Sequence, residues 1–134
     1  MRTIVAAEIT QAVARLCVQA NTVLPDDVSA ALDAARRAEP WPLAGETLGF
    51  LQKNLCQARS QALPICQDTG MACVFVELGQ DVHIEGDFEA AIHAGVRLGY
   101  DEGFLRKSIV GDPLCRVNTG DNAPAVITLR LVPG

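Results

Sequence analysis

A chain of 134 residues, nearly half of them apolar, has material for one core and no more than one domain of ordinary size. Its net charge of −5, with basic pairs only at Arg36-Arg37 and Arg106-Lys107, excludes the clustered cations that nucleic acid binding wants. No apolar run reaches the roughly 18 residues of a membrane span, and Glu8 and Gln11 interrupt what would otherwise read as a secretory leader.

Ile4, Val5, Ile9, Val13, Leu16, Cys17 and Ala20 recur at three- and four-residue steps, which predicts an amphipathic helix over about residues 3–20. After Leu24-Pro25, either Asp26 or Asp27 can cap a second helix that ends before Pro40, with Arg36 and Arg37 favouring the negative end of its dipole. A third helix follows over roughly 43–61, with Leu48, Leu51 and Leu55 along one face. The helical part thus covers about 3–61, and a strand/helix/strand part covers about 64–134.

In the second part, "ACVFVEL" and the alternating "DVHIE" read as strands on either side of a Gly79-Gln80 turn. Asp87 is placed to cap a fourth helix, "FEAAIHAGVRLGYDEGFL", and "APAVITLRLVPG" reads as a closing strand. The expected class is α+β: N-terminal helices, then a small β-sheet with one further helix packed on it.

Cys17, Cys56, Cys66, Cys73 and Cys115 form an odd set with no disulfide-framework spacing, which suits a reducing cytoplasm. Most of them, Cys73 in its apolar strand included, read as small buried hydrophobes. Cys66 differs, because it sits in "LPICQDTG" between Pro64 and Gly70, among Gln67, Asp68 and Thr69. Spacing leaves it open as a ligand, a nucleophile or a turn residue; the interval to Cys73 is not that of a zinc knuckle.

Asp68 can serve as acid, base or oxygen ligand, but Asp-Thr-Gly is also ordinary turn chemistry. The same three residues form half of an aspartic protease site, yet no second copy exists here and the preceding residues are not that strand. His83 alternates with Val82 and Ile84 and is expected to face solvent, whereas His93 reads as a satisfied histidine on its helix. Arg106 and Lys107 can complement the end of the fourth helix, or Arg106 can present its fork to a carboxylate. "NTGDNAP" is a turn-rich loop or the lip of a site.

Taken together, "PICQDTGMACVFVELGQDVHIEGDFEAAIHAGVRLGYDEGFLRKSIVGDP" and "NTGDNAPAVITLRLVPG" resemble the alpha subunit of class I (iron–sulfur) fumarate hydratase, a family that includes the L(+)-tartrate dehydratase alpha subunit. The match runs from about Pro64 to Gly134. The resemblance implies a hydro-lyase that hydrates fumarate to malate reversibly, with an open iron of a [4Fe–4S] cluster as Lewis acid. It places one cluster ligand on Cys66 and puts Gln67 and Asp68 beside substrate, Asp68 handling a proton or water. It also gives Arg106, in "LRKS", to a substrate carboxylate. Asn118, Thr119 and Asp121 take a site-shaping role.

Family alpha subunits continue through a Gly-rich segment and two further cluster cysteines, and a beta subunit brings the catalytic base. The implied partners are therefore a small dicarboxylate, the C-terminal part of the alpha subunit and the beta subunit, in an oligomeric enzyme. Residues 1–134 would hold neither a whole cluster nor activity alone. The competing expectations are a tartrate dehydratase and a binding or assembly module that kept the fold without the catalysis.

Overall fold

The computed structural model describes residues 2–134, and it is α+β as expected. The elements run β1 (Arg2–Val5), α1 (Ala6–Thr22), α2 (Asp26–Ala38), α3 (Pro42–Gln61), β2 (Cys73–Gly79), β3 (Val82–Glu85), α4 (Phe88–Glu102) and β4 (Val126–Val132). The expected helix at 3–20 gives up its first residues to β1, where the β-branched run Thr3-Ile4-Val5 pairs in parallel with β3, Ile4 opposite Ile84. The Glu8 carboxylate then accepts the Val5 N–H at 3.1 Å and starts α1.

The strands form two two-stranded parallel sheets instead of one. Gly79-Gln80 does turn the chain, but it closes no hairpin: β3 departs to β1, and β2 pairs with β4 in register from Cys73↔Val126 to Gly79↔Val132. Parallel neighbours need a crossover, and α4 supplies it between β2 and β4.

The core lies where α4 is covered by α1 on one side and by β2 and β4 on the other. Ile92 and Val96 are fully buried, joined by Val13, Tyr100 and Leu105, with Val74, Val76 and Ile127 packed against them. The Asp87 carboxylate caps α4 by accepting the Ala90 N–H at 2.9 Å. Gly95 and Gly99, one turn apart on α4, let α1 approach closely: a Cβ at Gly99 would stand 2.6 Å from the Ala14 carbonyl oxygen. Larger side chains there would force the helices apart, at a typical overpacking cost of about 1–3 kcal/mol.

Helices α2 and α3 pair with each other and bury little. Asp26 and Asp27 lie in the first turn of α2 without making a side-chain cap, because Pro25 occupies the capping position. On α3, Leu51 is 47% exposed, and the face toward α2 is carried by Leu48, Gln52 and Leu55. Gln52 bonds Arg36 and Asp33 across that contact.

The cysteine expectation needs correcting. Only Cys17 is partly buried, which pushes its thiol pKa up; Cys56, Cys66, Cys73 and Cys115 are exposed. Cys73 falls on the outer phase of β2 beside Phe75, which is 79% exposed, while Val74 and Val76 turn inward. Among the described residues no helix is long and apolar enough to cross a membrane.

Candidate active site

The segment between α3 and β2 is tied down at both ends. Ala62 ends α3 in the left-handed conformation, and the Ile65 N–H donates to the Asn21 carbonyl at 2.8 Å. Asn54 Nδ2 donates to the Ile65 carbonyl at 2.7 Å, so Cys66 follows a residue held on both polar groups. The Cys66 thiol is exposed, with Sγ 3.2 Å from the Asp68 carbonyl oxygen. The Asp68 carboxylate accepts the Gly70 N–H at 3.3 Å, an Asx-type closure completed by Gly70 at φ +64.

The second segment is set by the end of α4. The Leu105 N–H donates to the Tyr100 carbonyl at 3.0 Å while Phe104 takes φ +52, and burial of Leu105 turns Arg106 outward. The two basic residues divide the roles that the sequence left open. Lys107 Nζ pairs with Asp101 at 2.9 Å, and this contact holds the Asp101 carboxyl below the usual carboxylate range. The Arg106 guanidinium has no ion-pair partner among the described residues.

These two segments meet. Thr69 Oγ1 donates to the Arg106 carbonyl at 3.1 Å. An open cleft of about 490 Å³ is lined by Pro64, Cys66, Gln67, Thr69, Phe104 and Arg106. A cysteine, a glutamine and an arginine without an ion-pair partner therefore line one space although nearly forty residues separate Cys66 from Arg106 in sequence. Asp68 is not among the lining residues; it is exposed and its carboxylate is bonded within its own loop.

Asn118, Thr119 and Asp121 are not among the residues that line the cleft. Asn118 Nδ2 donates to the Lys107 carbonyl at 2.9 Å, and the Thr119 N–H donates to the Ile109 carbonyl at 2.9 Å. Asp121 accepts the Ala123 N–H and pairs with Arg97; these two contacts, in that order, hold its carboxyl below the usual range. His83 is exposed, and His93 is satisfied structurally, since its Nδ1 accepts the Ala125 N–H at 3.2 Å.

Two residues that the sequence reading passed over join the segments. Tyr100 Oη lies 3.1 Å from the Thr69 carbonyl oxygen and 3.2 Å from that of Gly70. Fully buried Asn122 bonds Ser108, Ile109 and Gly70. The one signal available for Tyr100 was that it is the chain's sole tyrosine, at the end of an apolar helix where a buried hydroxyl needs a partner. Asn122 carried none within a run of turn formers. Among the described residues, no group of three or more His, Cys, Asp or Glu side chains is placed to hold a metal ion. Cys66 is thus a single donor facing a cleft.

Comparison with known proteins places this chain in a defined family. The family profile of fumarate hydratase (Fumerase) matches residues 10–134, and the chain belongs to that family. Among its relatives, fumarate hydratase class I, aerobic, of Escherichia coli (strain K12) is 43% identical over 65% of this chain and 16% of its own length. Fumarate hydratase 2 of Leishmania major is 37% identical over 77% of this chain and 19% of its own. The L(+)-tartrate dehydratase subunit alpha of Escherichia coli (strain K12) is 28% identical over 86% of this chain and 38% of its own. The chain therefore spans well under half the length of each of these relatives.

Proposed function

We propose that residues 1–134 form one domain supplying one wall of the active site of a hydro-lyase that hydrates fumarate to malate. The observation that carries this reading is the shared cleft of Cys66, Gln67 and Arg106. Arg106 has the chemistry for one carboxylate of a dicarboxylate: a charged fork with two parallel N–H donors. Gln67 offers both a donor and an acceptor to the rest of the substrate. Asp68, exposed on the same loop, handles a proton or orients water.

Cys66 fits a place in a cluster's ligand set, because its thiol is exposed, restrained on either side and directed to the same cleft as the carboxylate-binding arginine. Three cysteines are needed to hold a [4Fe–4S] cluster with one open iron; no three such donors lie together among the described residues, so this reading takes the other two from outside this chain. The chemistry supplied there by the cluster, when bound, is Lewis-acid polarisation of the hydroxyl group without net redox change.

The openness of the cleft supports the need for partners. An exposed ion pair is worth about 0–1 kcal/mol, whereas a desolvated charged hydrogen bond contributes about 1.5–3 kcal/mol. The remainder of an alpha subunit and a beta subunit would close the cleft over Arg106, supply the missing ligands and bring the catalytic base. The chain alone is then inactive, and the assembled oligomer works in the cytoplasm.

Likeness to a tartrate dehydratase alpha subunit supports L(+)-tartrate as a second substrate candidate. The test is steady-state turnover by the complete enzyme, prepared without oxygen, on fumarate and on L(+)-tartrate. Fumarate is expected to have the higher kcat/KM. Turnover of tartrate alone would move the assignment within the class, and turnover of neither would remove it.

A further inference from the structure

We propose that Asn122 is a positioning residue that sets the spacing between the Cys66 loop and the Arg106 segment, with Tyr100 as a second anchor on the loop. The Asn122 side chain is fully buried and divides its two polar atoms between the two halves of the cleft. Its Oδ1 accepts the N–H groups of Ser108 at 2.6 Å and Ile109 at 3.0 Å, directly after Arg106 and Lys107. Its Nδ2 donates to the Gly70 carbonyl at 3.1 Å, at the end of the loop that carries Cys66, Gln67 and Asp68. The Tyr100 hydroxyl meets that same carbonyl and that of Thr69, from a ring fixed in the core.

Burial alone would require Asn122 to be satisfied. It would not require one amide to take its acceptors' partners from the arginine side and its donor's partner from the cysteine side. Asn122 itself adopts φ +59, a conformation that asparagine tolerates better than most residues, so the amide is presented from a backbone suited to it. A rigid spacer of this kind suits a site whose two substrate-facing groups arrive on separate segments, since small misplacements of reacting groups cost rate steeply.

Asn122→Asp separates the two halves of this role. At pH 8 its carboxylate keeps both acceptor bonds to Ser108 and Ile109, but it loses the donor and sets an oxygen against the Gly70 carbonyl. Hydrogen–deuterium exchange on the full chain is expected to speed up several-fold at Gly70, whose N–H is held within the loop by the Asp68 carboxylate, and to stay unchanged at Ser108 and Ile109. Tyr100→Phe, which keeps the ring, is expected to loosen the same loop and serves where the first variant folds poorly. In the complete enzyme Asn122→Asp should lower kcat about 10–100-fold with KM for fumarate within about threefold of wild type.

This kinetic arm rests on the function proposed above; the exchange arm does not. If the wild-type enzyme hydrates no dicarboxylate, exchange alone still decides the spacer role. Uniform loosening of both segments in both variants, or a lower melting temperature with unchanged loop exchange and unchanged kcat, would overturn it.

Discussion

Replacing Cys66 by serine in the complete enzyme should abolish fumarate hydration, lowering kcat at least about a thousandfold. The magnitude follows from the loss of a Lewis acid worth several kcal/mol of transition-state stabilisation, at about 1.4 kcal/mol per factor of ten. Serine is nearly the same size as cysteine, and its hydroxyl can make the bond that Sγ makes to the Asp68 carbonyl at 3.2 Å. The loop therefore keeps its shape, and an exposed substitution of this kind changes stability by no more than about 0.5 kcal/mol. What serine lacks is the soft donor that iron–sulfur ligation requires. Iron and acid-labile sulfide in the purified enzyme should fall together with activity. Wild-type turnover in this variant would refute the ligand assignment.

Arg106→Ala should act differently. Cys66 and its loop are untouched, because the contact from Thr69 reaches the Arg106 backbone carbonyl and not its side chain. The variant loses a charge-assisted carboxylate contact worth about 1.5–3 kcal/mol in a closed site, which is about 10–150-fold in affinity. The loss should appear as a raised KM for fumarate with kcat within a few-fold, the signature of binding shared by ground and transition states. Arg106→Lys should recover only part of it, since lysine has the charge but not the fork. A lowered kcat with unaltered KM would assign Arg106 to the chemical step instead.

Much of the fold could be read from local pattern. Helix α4 was legible because the Asp87 cap and the spacing of Ile92 and Val96 are both local signals. β1 was not: Ile4 and Val5 continue the period of the following helix, and their partners Ile84 and Glu85 lie some eighty residues away. The Gly79-Gln80 turn was legible, but turns do not choose partners; the parallel register of β2 with β4 depends on the α4 crossover. Cys73 was misplaced because its apolar neighbours Ala72, Val74 and Phe75 were weighed over the alternation: Glu77 shares its phase in β2, against Val74, Val76 and Leu78, and marks that face as the exposed one.

At the site, "CQDTG" and "LRKS" stood out through family likeness, each as a separate motif. Their convergence is a property of the folded chain, made by the turn after Tyr100 and by the side chains of Thr69, Tyr100 and Asn122. Asn122 was illegible for a related reason: its partners are separated from it by 13, 14 and 52 residues, so no spacing rule reports them.

The central claim is that Cys66 and Arg106 face one ligand. The most direct measurement is the alkylation rate of Cys66 in the complete enzyme after anaerobic removal of its iron, followed by peptide mass spectrometry with and without fumarate. Fumarate is expected to slow alkylation of Cys66 and to leave exposed Cys115 unaffected, and Arg106→Ala is expected to abolish the protection at the same fumarate concentration. Equal Cys66 rates with and without saturating fumarate, or protection undiminished in Arg106→Ala, would contradict the claim.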